Sequence, residues 1–358
     1  MDFALTDEQK EVADLATKIF ADHEGAGTKD AAKDAAKGAV ALWSTLAGAG
    51  LLGVAVSEQA GGAGHGLLEH CALLVAAGAA AAHVPLWAVS TAALVIDHAG
   101  TPAQRALLAD VLRGASVVTL ALHEPDGGDP FAPAVTVKDG RLSGVKTCVP
   151  AGDRAKRIVV TARGADGKPT LFLVDPSTSG VTVESQIATT GETQGQLTFD
   201  GAAAEPLGDA TTFGWLLDRA TIGLCALELG ITEKVLRMTA AYTSQRTQFD
   251  RPIATFQAVA QRAADAYIDV ETIRLTMWEA AWRLAQGLPA ARELAVAKVF
   301  ASEAGQRVTY AAQHLHGGIG FDVSYPLARY YPLSKWIELT LGGASAHLAR
   351  LGSLIAAG

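Results

Sequence analysis

The hydrophobic period of this chain changes twice, and those two changes limit its possible folds more than any single motif does. From Thr6 to about residue 115 apolar residues recur every three or four positions, with Trp43, Leu46, Leu51 and Leu52 on the stripe and a break at Gly61-Gly62-Ala63-Gly64. An α-helix gathers that spacing on one face. Thr6 and Gln9 have the spacing of a capping box, so a helix is expected to start there. At Ser116 the signal switches to short β-branched runs at 117–122, 134–137, 157–160, 171–174 and 197–199. Asp139-Gly140, Asp166-Gly167-Lys168-Pro169 and Asp200-Gly201 separate them, which predicts antiparallel strands and hairpins. Helical spacing resumes at Phe213 and runs to the end with one glycine-rich break at 317–320, as expected of four or more long packed helices. The fold class read from this is α+β, mainly α: a helical domain over 1–115, a central β-barrel or sandwich over 116–208, and a helical bundle over 209–358.

Composition narrows the function. At 358 residues and 49% hydrophobic content, the chain exceeds the ~250 to 300 residues at which single cores stop growing, so two or three domains are expected. A net charge of -8 without a Lys/Arg stripe argues against a nucleic-acid partner. Cys71, Cys148 and Cys225 lie far apart in segments that read as core, which suggests neither a disulfide framework nor a metal site and fits a reducing cytoplasm. The N-terminus has no basic region followed by an apolar run, so no signal peptide is expected. The apolar stretch 72–84 is short of the ~18 to 20 residues that span a bilayer, and its Ala/Gly richness suits closely packed helices. The Lys/Asp/Ala stretch between Lys29 and Lys37 reads as a solvated helix face.

Two motifs share the second helical region. Arg246-Thr247-Gln248-Phe249-Asp250-Arg251-Pro252-Ile253-Ala254-Thr255-Phe256-Gln257 is followed by His316-Gly317-Gly318-Ile319-Gly320-Phe321. Taken alone, an arginine at a helix end complements the helix dipole or forms a surface ion pair. Glycines alone stop helices, although their bare backbone also admits a dinucleotide closely. Upstream stand Gly50-Leu51-Leu52-Gly53, Ser57-Glu58-Gln59-Ala60-Gly61-Gly62, Leu122-His123-Glu124-Pro125-Asp126-Gly127-Gly128-Asp129 and Leu142-Ser143-Gly144-Val145-Lys146. In this order and spacing the set resembles the acyl-CoA dehydrogenase family over essentially the whole chain.

The resemblance implies a flavin site shared between subunits. In that family the segment at Arg246 is a helical hairpin reaching into a neighbouring subunit, with the arginine on the pyrophosphate of FAD, a task suited to a guanidinium fork. Gln248, Phe249 and Gln257 match positions at the adenosine end, although Phe249 and Phe256 could equally be bundle core. Gly317 and Gly318 match the dinucleotide approach, and His314 stands where the family has glutamine, with Gln313 one residue early. The family's Trp-Ile-Thr run beside the flavin ring is replaced by Cys148-Val149-Pro150. Proline has neither hydroxyl nor N–H to offer, so the ring side reads as degraded, and Cys148 reads as a small core residue. The catalytic carboxylate is missing twice, with Leu341 six residues after Lys335 and Ala220 ten residues before Gly230. Two weak substitutes are Asp218, roughly 200° around the helix from Ala220, and Glu338 on a neighbouring turn.

This split closely resembles the smaller, base-less subunits of actinobacterial heterotetrameric enzymes that shorten steroid side chains. It implies an α2β2 complex with a Glu-bearing acyl-CoA dehydrogenase subunit, FAD shared across the interface, an acyl-CoA substrate, an electron-transfer flavoprotein as acceptor, and no membrane partner. Two alternatives stay open at this point: a non-catalytic paralogue, and a homomeric enzyme using Asp218 or Glu338.

Overall fold

The computed structural model describes residues 5–23, 31–127 and 129–357. The solvated-face reading of 29–37 concerns side chains that lie outside the described residues up to position 36. The chain divides into two compact units, one of Ala35–Gly66 with His83–Thr221, the other of Met1–Asp34, Leu67–Ala82 and Ile222–Gly358. In chain order the helices before the sheet are α1 (Asp7–Asp22), α2 (Ala31–Gly48), α3 (Leu67–Ala79), α4 (Leu86–Ala99), α5 (Pro102–Arg105) and α6 (Leu108–Leu112). The strands are β1 (Val118–Ala121), β2 (Thr136–Lys138), β3 (Arg141–Pro150), β4 (Arg157–Arg163), β5 (Pro169–Val174), β6 (Val181–Ile187), β7 (Thr193–Ala203) and β8 (Glu205–Pro206). There follow α7 (Thr212–Gln245), the two-residue strands β9 (Thr247–Gln248) and β10 (Arg251–Pro252), α8 (Gln257–Ala285), α9 (Ala291–His316), α10 (Tyr330–Leu339) and α11 (Ala344–Ala356).

The expected capping box is present at α1: Gln9 N–H donates to Thr6 Oγ1 at 3.3 Å, and Thr6 N–H donates to Gln9 Oε1 at 3.0 Å. Two of the orphan donors at the helix start are thereby satisfied. In the first unit the sheet runs β6-β7-β3-β2-β4-β5-β8, with β1 beside β4. Leu142, Val149, Ile158, Val160, Leu197 and Phe199 form its core. The expectation of purely antiparallel pairing is corrected here, because β1 and β4 run parallel from Val118↔Arg157 to Ala121↔Val160, and β2 meets β4 in parallel at Thr136↔Arg163. Hairpin signals fix only the pairing of neighbours in sequence, and β1 reaches β4 past two intervening strands. The sequence reading also passed over β6, on which only Val181 and Val183 are half-buried against the core.

In the second unit the Ala/Gly-rich α3 crosses α7 at backbone contact. A Cβ placed on Gly78 would stand 2.0 Å from the carbonyl oxygen of Leu227, and one on Gly230 1.9 Å from that of Val75. Each helix therefore carries a glycine at the crossing because no side chain fits between the backbones. α8 and α9 run antiparallel along one constant register, marked by Arg283 against Glu293 (3.4 Å), Arg307 against Asp269 (2.6 Å) and Arg262 against His314 (2.6 Å). That register brings the first turn of α8 beside the glycine-rich break after α9. Among the described residues no helix is long and apolar enough to cross a membrane.

Candidate functional site

The Arg246 segment folds into a two-residue hairpin. Gln248 pairs with Arg251, Thr247 with Pro252, and the turn residues Phe249 (φ 53°) and Asp250 (φ 61°) are both left-handed. Ile253 N–H donates to Arg246 O at 2.8 Å and closes its base. Such turns normally use Asn-Gly, because a side chain at positive φ costs roughly 1–2 kcal/mol. Here the tip carries a phenylalanine that is 87% exposed, so the bundle-core alternative for Phe249 is corrected. Phe256 instead turns inward along the hairpin, edge-on to Phe249 with centroids 6.1 Å apart and under the Arg251 guanidinium at 4.2 Å. Arg246, Gln248 and Gln257 are exposed.

At the adjoining end of the α8–α9 pair, His314 is exposed and takes a hydrogen bond at Nδ1 from Arg262 Nη1. Gly317 ends α9 with φ 65° and ψ -141°, a backbone region open only to glycine, and a Cβ on Gly317 or Gly318 would meet nothing within 4 Å. The structure thus places the hairpin, Gln257, His314, Gly317 and Gly318 in one unit.

Leu341 is fully buried and left-handed (φ 59°), and its carbonyl accepts from His347 Nε2 at 3.0 Å. Ala220, in the other unit, is also fully buried, and its carbonyl accepts from Trp87 Nε1 at 2.9 Å. Of the substitute carboxylates, Glu338 is paired with Lys335, and Asp218 partly offsets the burial that pushes its neighbour Arg219 down.

Near the Leu341 turn lies a polar cluster that sequence reasoning missed. Lys298 is fully buried in α9 and spends its three donors on Ser302 Oγ (3.1 Å) and on the carbonyls of Ile337 (2.9 Å) and Glu338 (3.1 Å), capping the end of α10. Glu228 of α7, also fully buried, accepts from Ser334 Oγ at 2.7 Å, while among the described residues its Oε2 has no hydrogen-bond partner. Gly305 makes room for it, since a Cβ there would stand 2.3 Å from Glu228 Oε1. Burial pushes the Glu228 carboxyl up to about 7 and the Lys298 ammonium down to about 8. The sequence signal was two charges inside strongly apolar helical faces.

Because the folded state holds the Glu228 proton more tightly than the unfolded chain, that stabilisation is complete below pH 4.5 and is lost as pH rises through about 7. Lys298 acts in the opposite sense: its contribution is present above pH 10.5 and is lost as pH falls through about 8. Glu228→Gln removes the first linkage, and with it the support that the Glu228 charge gives to the Lys298 ammonium. Urea titrations at pH 5 and pH 8 are expected to show the native chain losing up to roughly 3 kcal/mol relative to the variant, and parallel curves would refute this.

In the sheet unit, Lys146 is fully buried on β3 and donates to Glu124 Oε1 (2.7 Å) and Thr161 Oγ1 (2.8 Å). Glu124 also accepts from the backbone N–H groups of Ala134 (2.7 Å) and Val135 (2.9 Å). Burial alone would raise the Glu124 carboxyl, but the bonds from Lys146, Val135 and Ala134 outweigh it and hold the carboxyl below its ordinary range. This pair ties Glu124 to Ala134 and Val135 beside the 147–150 run. Within that run Cys148 is exposed and left-handed (φ 52°), so its expected core placement, and with it the reading of all three cysteines as core, is corrected. The register of β3 against β7 shifts between Lys146 and Val149, and this irregularity turns the thiol outward. Pro150 O is taken by Thr119 Oγ1 at 2.6 Å.

The chain matches two domain families: acyl-CoA dehydrogenase, N-terminal domain, over residues 6–115, and acyl-CoA dehydrogenase, C-terminal domain, over 211–352. It is 40% identical over 329 residues to the acyl-CoA dehydrogenase FadE27 of Mycobacterium tuberculosis, covering 88% of each chain. Among solved structures it is similar to a chain of the Tcur3481-Tcur3483 steroid ACAD (43% identity, TM-score 0.91, 98% of each chain). It is also similar to a chain of the ChsE4-ChsE5 complex from Mycobacterium tuberculosis (35% identity, TM-score 0.90, 99% of each chain). With these matches spanning nearly its whole length, the chain belongs to the acyl-CoA dehydrogenase family.

Proposed function

We propose that this chain is the base-less subunit of a heteromeric, FAD-dependent acyl-CoA dehydrogenase that desaturates a CoA thioester. The observation that carries this reading is the contrast between its two ends. Both base positions, Leu341 and Ala220, are buried and apolar, whereas the hairpin tip, Gly317 and Gly318 stand exposed. The residues present fit the adenosine half of FAD: exposed guanidinium and amide groups beside glycine backbone with open space around it. They do not fit the flavin ring, since Pro150 has no N–H and its carbonyl is already bonded to Thr119. Bound FAD supplies a hydride acceptor. Arg246 would bind the pyrophosphate, Gln248, Phe249, Gln257, His314, Gly317 and Gly318 would bound the adenosine end, and the partner's carboxylate would take the α-proton. The three-part division at 1–115, 116–208 and 209–358 belongs to this reading, as do a steroid side-chain acyl-CoA, an electron-transfer flavoprotein acceptor and a cytoplasmic location. A steroid ACAD and the ChsE4-ChsE5 complex among the similar structures support it.

The test is to purify the chain alone and co-expressed with a Glu-bearing homologue. The expected result is a colourless product alone and a yellow α2β2 complex with one FAD per pair. Arg246→Ala in that complex is expected to weaken FAD binding roughly 10- to 100-fold, the loss of a hydrogen bond between charged groups. A yellow, active homotetramer of this chain would overturn the reading. Unchanged flavin content in Arg246→Ala would favour a paralogue that binds no flavin.

A further inference from the structure

The rungs between α8 and α9 differ in chemistry. Arg307 lies against Asp269 with two hydrogen bonds (2.6 and 2.9 Å), and Arg283 lies against Glu293. At the third rung Arg262 meets His314 instead, and among the described residues no carboxylate comes within salt-bridge distance of it. An arginine donates at every nitrogen, so His314 Nδ1 must be the acceptor, and the ring proton sits on Nε2. Arg262 is thereby oriented without being neutralised. Its guanidinium also lies over the ring of Tyr310, 5.8 Å from the centroid, and that ring is 59% exposed. Because the α8–α9 register is constant, this uncompensated charge sits within about two helical turns of Gln257 and of the Gly317-Gly318 backbone. A chain with a net charge of -8 has acids to spare for its other helix–helix arginines, yet supplies none here.

We propose that Arg262 is an anion-recognising residue for the ADP half of FAD, with His314 as the residue that positions it. This rests on the shared-site reading above and adds a second guanidinium to it. His314 then serves through Arg262, which accounts for a histidine where an amide was expected. A guanidinium whose neutral partner fixes one N–H keeps its remaining donors for phosphate oxygens.

The experiment uses the co-expressed complex, stripped of flavin and titrated with FAD, with ADP and FMN as competitors. Arg262→Met is expected to weaken FAD and ADP by about tenfold and leave FMN competition unchanged. His314→Gln, which keeps an acceptor toward Arg262, is expected to retain most of the affinity, and His314→Ala to lose part of it. FAD affinity within about twofold of the native complex in Arg262→Met would overturn the proposal. Equal weakening of ADP and FMN would overturn it as well, since a general structural lesion acts that way. If Arg262→Met does not assemble, Arg262→Gln decides, because it keeps a donor toward His314 and removes the charge: weaker ADP binding supports the assignment and native binding ends it. Loss of FAD in Arg246→Ala together with native binding in Arg262→Met would sink this inference and leave the shared-site reading standing. Native binding in both would sink both.

Discussion

Lys146→Met is expected to lower the stability of the sheet unit by about 3–5 kcal/mol, because it strands the Glu124 carboxylate in the interior. Lys146 has no exposed surface, and its ammonium is held by Glu124 at 2.7 Å and Thr161 at 2.8 Å. Glu124 would keep its two backbone donors at Ala134 and Val135 while losing its counter-charge. Replacing both partners, as Lys146→Met with Glu124→Leu, is expected to recover part of the loss, since two apolar side chains leave no charge to solvate. Recovery should be incomplete, because Glu124 also holds the backbone N–H groups of Ala134 and Val135. Urea denaturation of the two single variants and the double variant gives the coupling directly. A cycle in which the two losses simply add would show that the pair does not act as a unit.

Gly230→Ala is expected to cost about 3 kcal/mol or more, at or beyond the upper end of overpacking penalties. The added methyl would meet the Val75 carbonyl oxygen at 1.9 Å and the Ala79 nitrogen at 2.7 Å, and neither backbone atom can rotate away. Relief requires α3 and α7 to separate. Gly78→Ala opens the same crossing from the other helix, so the two losses should be less than additive, the second methyl entering a space the first has already forced apart. Thermal midpoints of both single variants and the double variant check this. A Gly230→Ala protein as stable as the native chain would mean that the crossing yields at little cost.

Much of the fold was legible because its signals are local. The capping box at Thr6, the return of helical spacing at Phe213 and the stop at Gly317 each depend on a few neighbouring residues, and each appears where the spacing puts it. Even the α3–α7 contact was foreshadowed by the small residues of 72–84. Cys148 was misread because its flanking residues suit a buried strand, whereas its outward turn comes from a register shift against β7, some fifty residues on. The parallel β1–β4 pairing escaped for the same reason, since it joins strands that no hairpin connects.

By itself the sequence determined which residue types stand at each position: leucine at 341, alanine at 220, proline at 150, and glycines at the end of α9. It also determined the periods that make helices and strands, because those depend on the backbone geometry of consecutive residues. Only the tertiary structure decided who meets whom. It joined Arg262 to His314 across 52 positions and Ser334 to Glu228 across 106. Among the described residues it also left Arg262 without a carboxylate while Arg307, on the same helix pair, received one. The physical reason is that burial and charge compensation are properties of a packed neighbourhood, set by helix register and crossing, and no local spacing in the chain specifies them.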